Sequence, residues 1–231
     1  MYAYCIMNTN NITIILTSTI NCKDSIQYLI QNDTGERLQS YLKSVKQWLY
    51  HTNFPIVLVE NSGYTFEELS KEKELFKKRF EVISYVESDL ETAKYLRNKP
   101  SKGASEIYQI NYAFYNSKLI QEINQNTNFI IKVTARFFIP ELEAYLNKYN
   151  LNQFQALCQY NRNRCEMVGS HVQSFRYIFH HNLINNKGEY DGHVENIYRE
   201  RINNCKKKLR CKLFTIEPTQ RGGATNKYTN I

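Results

Sequence analysis

Three groups of residues stand where chemistry could be done. Lys132 lies inside the otherwise apolar run Phe129-Ile-Ile-Lys-Val-Thr134, and Arg136 follows at its exit. An ammonium in a buried strand is costly unless it reaches an anion or water. Two readings are open: an edge strand whose Lys132 snorkels to solvent, or two cations facing a phosphate, Arg as a fork and Lys as a point charge. Lys102-Gly103 opens a helical pattern. Glycine there permits close backbone approach, and the free N–H groups of a helix start attract an anion; an ordinary turn capped by Ser101 or Ser105 would also explain the pair. The third group is carboxylates. Glu195 borders the stripe Val194, Tyr198, Ile202, where partial desolvation would suit a general base, although an i,i+4 pair with Arg199 explains it equally well. Asp191 and Glu166 are the other candidate bases.

The elements that must position these groups are legible as alternating patterns. The runs Ile12 to Thr17, Pro55 to Glu60, Phe80 to Val86 and Phe129 to Thr134 read as strands, continuous in apolar residues instead of alternating. Between them lie helical patterns. Asp33 and Glu36 have capping-box spacing before Leu38, Tyr41, Leu42, Val45, Trp48 and Leu49, and Thr65 and Glu68 predict a second helix to about Lys78. A third carries Ile107, Ile110 and Phe114. This order predicts a mostly parallel sheet covered on both faces, with ligands outside the carboxyl ends of its strands. Those ends read Thr17-Ser18-Thr19, Glu60-Asn61-Ser62, Glu87-Ser-Asp89 and Thr134-Ala-Arg136, all polar. Beyond Pro140 the spacing predicts a short helix with Leu142, Tyr145 and Leu146. Short strands at 154–158 and 165–169, a helix over 171–181, a last helix opening at Asp191, and a late strand over 212–216 follow.

Composition narrows the function classes. The 231 residues hold 30 Lys and Arg against 22 Asp and Glu, a formal charge of +8, and +6 of it sits in Arg199 to Lys212 (RERINNCKKKLRCK). The remainder is nearly balanced, which excludes a uniformly basic, histone-like binder of nucleic acid. An apolar fraction of 42% excludes a disordered chain, and eight Gly and four Pro exclude a fibrous one. The length suits one large domain or two small ones. Six cysteines without C-x-x-C spacing predict reduced thiols in a cytoplasmic protein. The longest apolar run, around Ile12 to Leu16, falls far short of the ~20 residues of a membrane span and lacks the cationic flank of a signal peptide. Neither dinucleotide nor P-loop glycine fingerprints occur, nor a G-x-S-x-G elbow.

Taken in order, Ile12 to Thr19, Ile56 to Ser62, Lys102 to Glu106, Phe129 to Pro140 (FIIKVTARFFIP), Glu166 to Gly169 and Asp191 to Arg201 (DGHVENIYRER) resemble small nucleotide-sugar glycosyltransferases of the GT-A fold. The resemblance is to those of bacterial surface glycans and large DNA viruses, where a lysine-glycine pair precedes a helix and a K-[IV]-T-[GA]-R-[YF] strand follows. It implies an α/β fold with a mostly parallel central sheet flanked by helices, in the GT-A (Rossmann-like, nucleotide-diphospho-sugar transferase) architecture. A single catalytic domain would fill 1–231: a nucleotide-sugar-binding half over 10–140, an acceptor side over 141–217, and a mobile tail over 218–231.

The implied activity is hexosyl or deoxyhexosyl transfer from a nucleoside-diphosphate sugar, UDP favoured, to a hydroxyl of a glycan or glycolipid in polysaccharide biosynthesis. Glu195, then Asp191 or Glu166, would deprotonate the acceptor. Thr17, Ser18, Thr19, Glu60 and Asn61 would hold the nucleoside, and Lys102, Gly103, Lys132 and Arg136 the diphosphate. The family's metal-binding D-x-D is replaced by Thr134-Ala-Arg136, so cations would take the metal's place; Asp89 is the remaining acidic candidate for Mn²⁺ or Mg²⁺. Two alternatives stay open. A sugar nucleotidylyltransferase would need a glycine-rich loop after the first strand, and Thr17 to Asp24 has no glycine. A non-catalytic RNA- or membrane-surface-binding protein would use Arg199 to Lys212, yet no RNP-like motif or zinc knuckle accompanies it. No specific nucleic-acid partner is expected, and 199–212 is left for peripheral contact with a membrane.

Overall fold

The structure is a computed structural model that describes residues 12–21, 33–98, 101–123, 129–222 and 225–231. Strand β1 (Ile12–Ser18) is buried along its whole length, as its β-branched run requires. Helix α1 (Thr34–His51) follows, capped by the Asp33 carboxylate, which accepts from the Glu36 N–H at 2.6 Å. Its stripe Tyr41, Leu42, Val45, Trp48 and Leu49 is buried, and the Trp48 indole donates to the Phe137 carbonyl at 2.9 Å.

Next come β2 (Ile56–Glu60), α2 (Ser70–Leu75), β3 (Phe80–Ser84), α3 (Lys102–Asn116), α4 (Lys118–Ile123) and β4 (Phe129–Thr134). The irregular half holds α5 (Leu142–Leu146), β5 (Ala156–Cys158), β6 (Met167–His171), α6 (Phe175–Ile178), α7 (Val194–Asn204), β7 (Lys208–Arg210), β8 (Thr215–Gln220) and β9 (Lys227–Asn230).

Strands β3-β2-β1-β4-β6-β5-β7 form one sheet in that order. All run one way except β6, which is antiparallel to both its neighbours. Alternate residues feed two cores. Ile14, Leu16, Ile56, Leu58, Ile131 and Val133 face the Trp48 side of α1; Ile15, Val57, Val59 and Ile130 face Ile107 and Ile110 of α3. The fold is therefore α/β, a mostly parallel central sheet flanked by helices.

Four local expectations change. The helix predicted from Thr65 is shortened to a 3₁₀ turn, Glu67–Leu69, and α2, because fully buried Phe66 takes φ 52° and Glu68 accepts from the Tyr64 hydroxyl instead of capping. The helix predicted over 171–181 is largely replaced: His171 still belongs to β6, and its Nδ1 accepts from the Gln173 N–H at 3.2 Å to start a 3₁₀ turn before the four-residue α6. The late strand lies over β8, not 212–216. The last segment, read from sequence as a mobile tail, holds an antiparallel pair, β8 with β9. Ile231 is 2% exposed, and its N–H and carbonyl pair with those of Phe214 at 3.0 and 2.8 Å.

Candidate active site

The chain leaves β1 outward through β2 and β3, then returns to place β4 on the other side of β1. In open α/β sheets such a reversal is where a ligand crevice is expected, here beyond the carboxyl ends of β1 and β4. Because β6 runs backward, its start faces that same edge: the Thr134 N–H donates to the Glu166 carbonyl at 2.9 Å. The end of β5 arrives there too, where the Gln159 amide holds Glu166 Oε2 at 2.9 Å and the Met167 N–H at 2.8 Å.

Lys132 is fully buried, and β4 lies inside the sheet, so neither the snorkelling edge strand nor a phosphate-facing ammonium describes it. Its Nζ meets Glu106 Oε1 at 2.6 Å, the Cys165 carbonyl at 2.7 Å and Thr134 Oγ1 at 3.3 Å, so its three N–H bonds have acceptors. Burial works most strongly against the ammonium, but Glu106 together with Cys165 and Glu166 outweighs it and holds the Lys132 pKa above the ordinary lysine value. Burial pushes the Glu106 carboxyl up, Lys132 offsets part of this, and nearby Glu195 and Glu166 add to the rise.

The expected nucleoside loops hold themselves together. Thr17 is buried, and its carbonyl accepts from the Ala135 N–H at 2.9 Å, while the Ser18 hydroxyl donates to the Val59 carbonyl at 2.9 Å. Glu60, fully buried, accepts from the N–H groups of Ile20, Ser62 and Tyr64 at 2.8–2.9 Å and staples the two loops. Thr19 donates to Asn61 Oδ1 at 2.7 Å and accepts from Gln109 at 3.3 Å. Asn61 in turn reaches Glu87 and Ser105, each at 2.9 Å. The polar ends of β1, β2 and β3 are thus one connected network with α3.

Arg136, 8% exposed, donates to the Tyr41 hydroxyl at 3.1 Å and the Gln220 carbonyl at 3.5 Å. Arg37 of α1 reaches the same hydroxyl at 3.1 Å and the Thr19 carbonyl through Nε at 2.9 Å. Two guanidinium groups therefore converge on one phenol oxygen at the β1–β4 crevice. Arg221, just after β8, completes the arrangement: its Nε lies 2.9 Å from Glu166 Oε1 and its Nη2 2.9 Å from Glu195 Oε1. Glu166 is 5% exposed and Glu195 25%. Burial lowers the Arg221 pKa, but the two carboxylates more than restore it. Glu195 and Glu166 are thereby brought together, and the i,i+4 partner of Glu195 is not used: Arg199 bonds Asn163 at 2.7 Å and Asn196 at 2.6 Å.

Other predicted positions have structural partners. Ser101 caps α3, accepting from the Ala104 N–H at 3.4 Å, and exposed Lys102 follows it. Gly103 is needed for packing: a Cβ there would lie 2.5 Å from Val194 Cβ. Asp191 accepts from the His193 N–H at 2.8 Å and Asn196 at 3.0 Å, ordering the entry to α7. For a divalent ion the fit is poor. Glu87 already accepts from Asn61 and Ser105, exposed Asp89 accepts from Ser88 at 3.1 Å, and no group of three or more His, Cys, Asp or Glu able to hold a metal occurs among the described residues.

The basic segment is mostly at the surface, with Lys206, Lys207, Lys208, Arg210 and Lys212 exposed, although several of its cations have partners within the chain. Arg201 is buried at 9% and caps the carbonyls of Ile178 and His180 at 3.0 and 2.9 Å, with Asn182 as a third acceptor. Arg210 holds the Tyr160 carbonyl at 2.9 Å and stacks on its ring, and Lys212 pairs with Glu141. Among the described residues no helix is long and apolar enough to cross a membrane.

Sequence reasoning missed Arg37, Glu106 and Arg221. Arg37 carried a signal, four residues before Tyr41 on the apolar stripe, and Glu106 another, beside Ile107 on the buried face. Arg221 carried none that named its partners.

An α/β protein with a polar, charge-lined crevice at its strand-order reversal is the class these observations define. No protein-family model and no curated protein matches the chain. Among solved structures it is similar to a Desulfovibrio desulfuricans G20 protein described as a nucleotide-diphospho-sugar transferase, at 12% identity over 87% of this chain and 80% of that one, TM-score 0.48. A cytidylyltransferase of Leptospira borgpetersenii serovar Hardjo-bovis aligns at 9% identity over 95% of this chain and 81% of that one, TM-score 0.47. The glycosyltransferase GlyE of Streptococcus pneumoniae aligns at 7% identity over 89% of this chain and 46% of that one, TM-score 0.46.

Proposed function

We propose that this chain is a GT-A-type glycosyltransferase that moves a sugar from a nucleoside-diphosphate sugar, UDP favoured, to a hydroxyl of a glycan or glycolipid. The observation that carries this reading is the convergence of Arg37 and Arg136 on Tyr41 at the exit of β4, with residues 220–222 running from Arg136 to the carboxylates Glu166 and Glu195. Arg136, supported by Arg37, neutralises the leaving diphosphate; Lys132 acts one step back by fixing Glu106. The loops at Thr19 and Asn61 face the nucleoside, with Lys102 at the lip, and residues 141–217 form the acceptor side. Glu195, the more exposed carboxylate of the Arg221 pair, takes the proton of the acceptor hydroxyl as the acceptor oxygen bonds to the sugar's anomeric carbon and the nucleoside diphosphate departs. Cys158, Cys165, Cys205 and Cys211 are free and buried, which suits a cytoplasmic setting. Of the basic segment a non-catalytic binder would use, Arg201 is taken by the carbonyls of Ile178 and His180 inside the protein.

The test is thermal unfolding with a panel of nucleoside diphosphates, with and without Mn²⁺, on the wild-type chain and Arg136→Ala. Stabilisation of the wild type by at least one of them, reduced in Arg136→Ala, is the expected outcome. An unchanged melting temperature across the panel rejects the reading.

A further inference from the structure

The tail residue Arg221 joins two of the three carboxylates that sequence alone singled out as bases, Glu166 and Glu195, and their surroundings differ. Glu166 is 5% exposed, and its other oxygen is held by Gln159 at 2.9 Å; a carboxylate so placed is stranded at high cost if its cation leaves. Glu195 is 25% exposed on the first turn of α7, where water can replace a lost partner. The guanidinium binds the first through Nε and the second through Nη2. Its side chain is itself 33% exposed.

The next residue, Gly222, lies directly on Arg136: a Cβ at Gly222 would sit 3.1 Å from Nη1 and 3.2 Å from Nη2 of that guanidinium. Gln220, on the other side of Arg221, gives its carbonyl to Arg136 at 3.5 Å. The tail therefore crosses the crevice at the place where an anion would meet Arg136. Around Arg221 and Lys132 stand three carboxylates, Glu106, Glu166 and Glu195, so among these five groups one negative charge is in excess.

We infer that Arg221 is a shared positioning residue: its Nε remains on buried Glu166, while its Nη end exchanges between Glu195 in the empty site and the diphosphate of a bound donor. The inference rests on the proposed donor chemistry, and it adds an order of events. Arrival of a diphosphate draws the guanidinium off Glu195 and so frees that carboxylate for the acceptor hydroxyl. No bond is made or broken in the exchange; one charge-assisted hydrogen bond replaces another.

Competition makes a prediction that a purely structural ion pair does not. Binding of inorganic pyrophosphate and of UDP is to be measured by calorimetry for the wild-type chain, Glu195→Gln, Glu166→Gln, Arg221→Ala and the double variant Arg221→Ala/Glu195→Gln. Removing the competitor should tighten binding: Glu195→Gln is expected to bind pyrophosphate about threefold or more tightly than wild type. Glu166→Gln, which loses the anchor, and Arg221→Ala should each weaken it about tenfold, and Glu195→Gln should have no effect once Arg221 is gone. Unchanged or weakened pyrophosphate binding in Glu195→Gln, with its melting temperature intact, overturns the inference. If the wild type binds neither probe, the donor reading and this inference fall together. If pyrophosphate follows the pattern while no nucleoside diphosphate binds, the exchange stands and the nucleotide-sugar reading fails.

Discussion

Lys132 shows how one residue can be correctly singled out and wrongly paired. Its place in an apolar strand demands an anion, and sequence offers a ligand phosphate as readily as a side chain. Glu106 supplies the anion at 2.6 Å. A buried pair is costly to break from one side but replaceable as a unit. Lys132→Met alone is therefore expected to lower stability by about 3–5 kcal/mol, and Lys132→Met/Glu106→Leu to regain most of that loss. Urea unfolding of the three chains checks this; additive losses in the double variant would contradict the pairing.

At the scale of elements, the start of α3 is packed onto the start of α7. The Lys102-Gly103 pair invites a phosphate-loop reading because glycine admits close approach, and the approach is real, but the neighbour is Val194 at 2.5 Å from a would-be Cβ. Gly103→Ala is expected to cost about 1–3 kcal/mol by overpacking, and to displace α7, which carries Glu195 one residue beyond the contact. Val194→Gly in the same chain should recover part of the melting temperature. A Gly103→Ala chain as stable as wild type would show that the two helix starts can separate freely. The same scale explains the reversed strand: only because β6 runs against its neighbours does Glu166 come to the edge where β1 and β4 end.

For the molecule as a whole, the question is what holds the C-terminal hairpin across the crevice. Besides the Arg221 bridges, its ties include the buried Ile231 at 2% exposure and the surface pair of Glu217 with Lys43. Apolar burial should dominate, since exposed pairs contribute little. Ile231→Ala is expected to cost about 2–4 kcal/mol, against less than about 1 kcal/mol for Glu217→Ala. Equal effects in thermal unfolding would mean that charge, not the core, anchors the strap that carries Arg221.

The sequence by itself determined the alternation of elements, the parallel character of β1 to β4, the two-sided burial and the polar strand ends, because each follows from local periodicity and from runs that have no exposed face. It also marked Arg136, Glu166 and Glu195. Tertiary structure alone decided the partners. Lys132 met Glu106 across the layer between sheet and helix, Gly103 met Val194, and Arg221 met two carboxylates from distant parts of the chain. Periodicity reports which way a residue faces and whether it is buried. It does not report which distant residue fills the space opposite, because that is fixed by the order and direction in which the strands assemble.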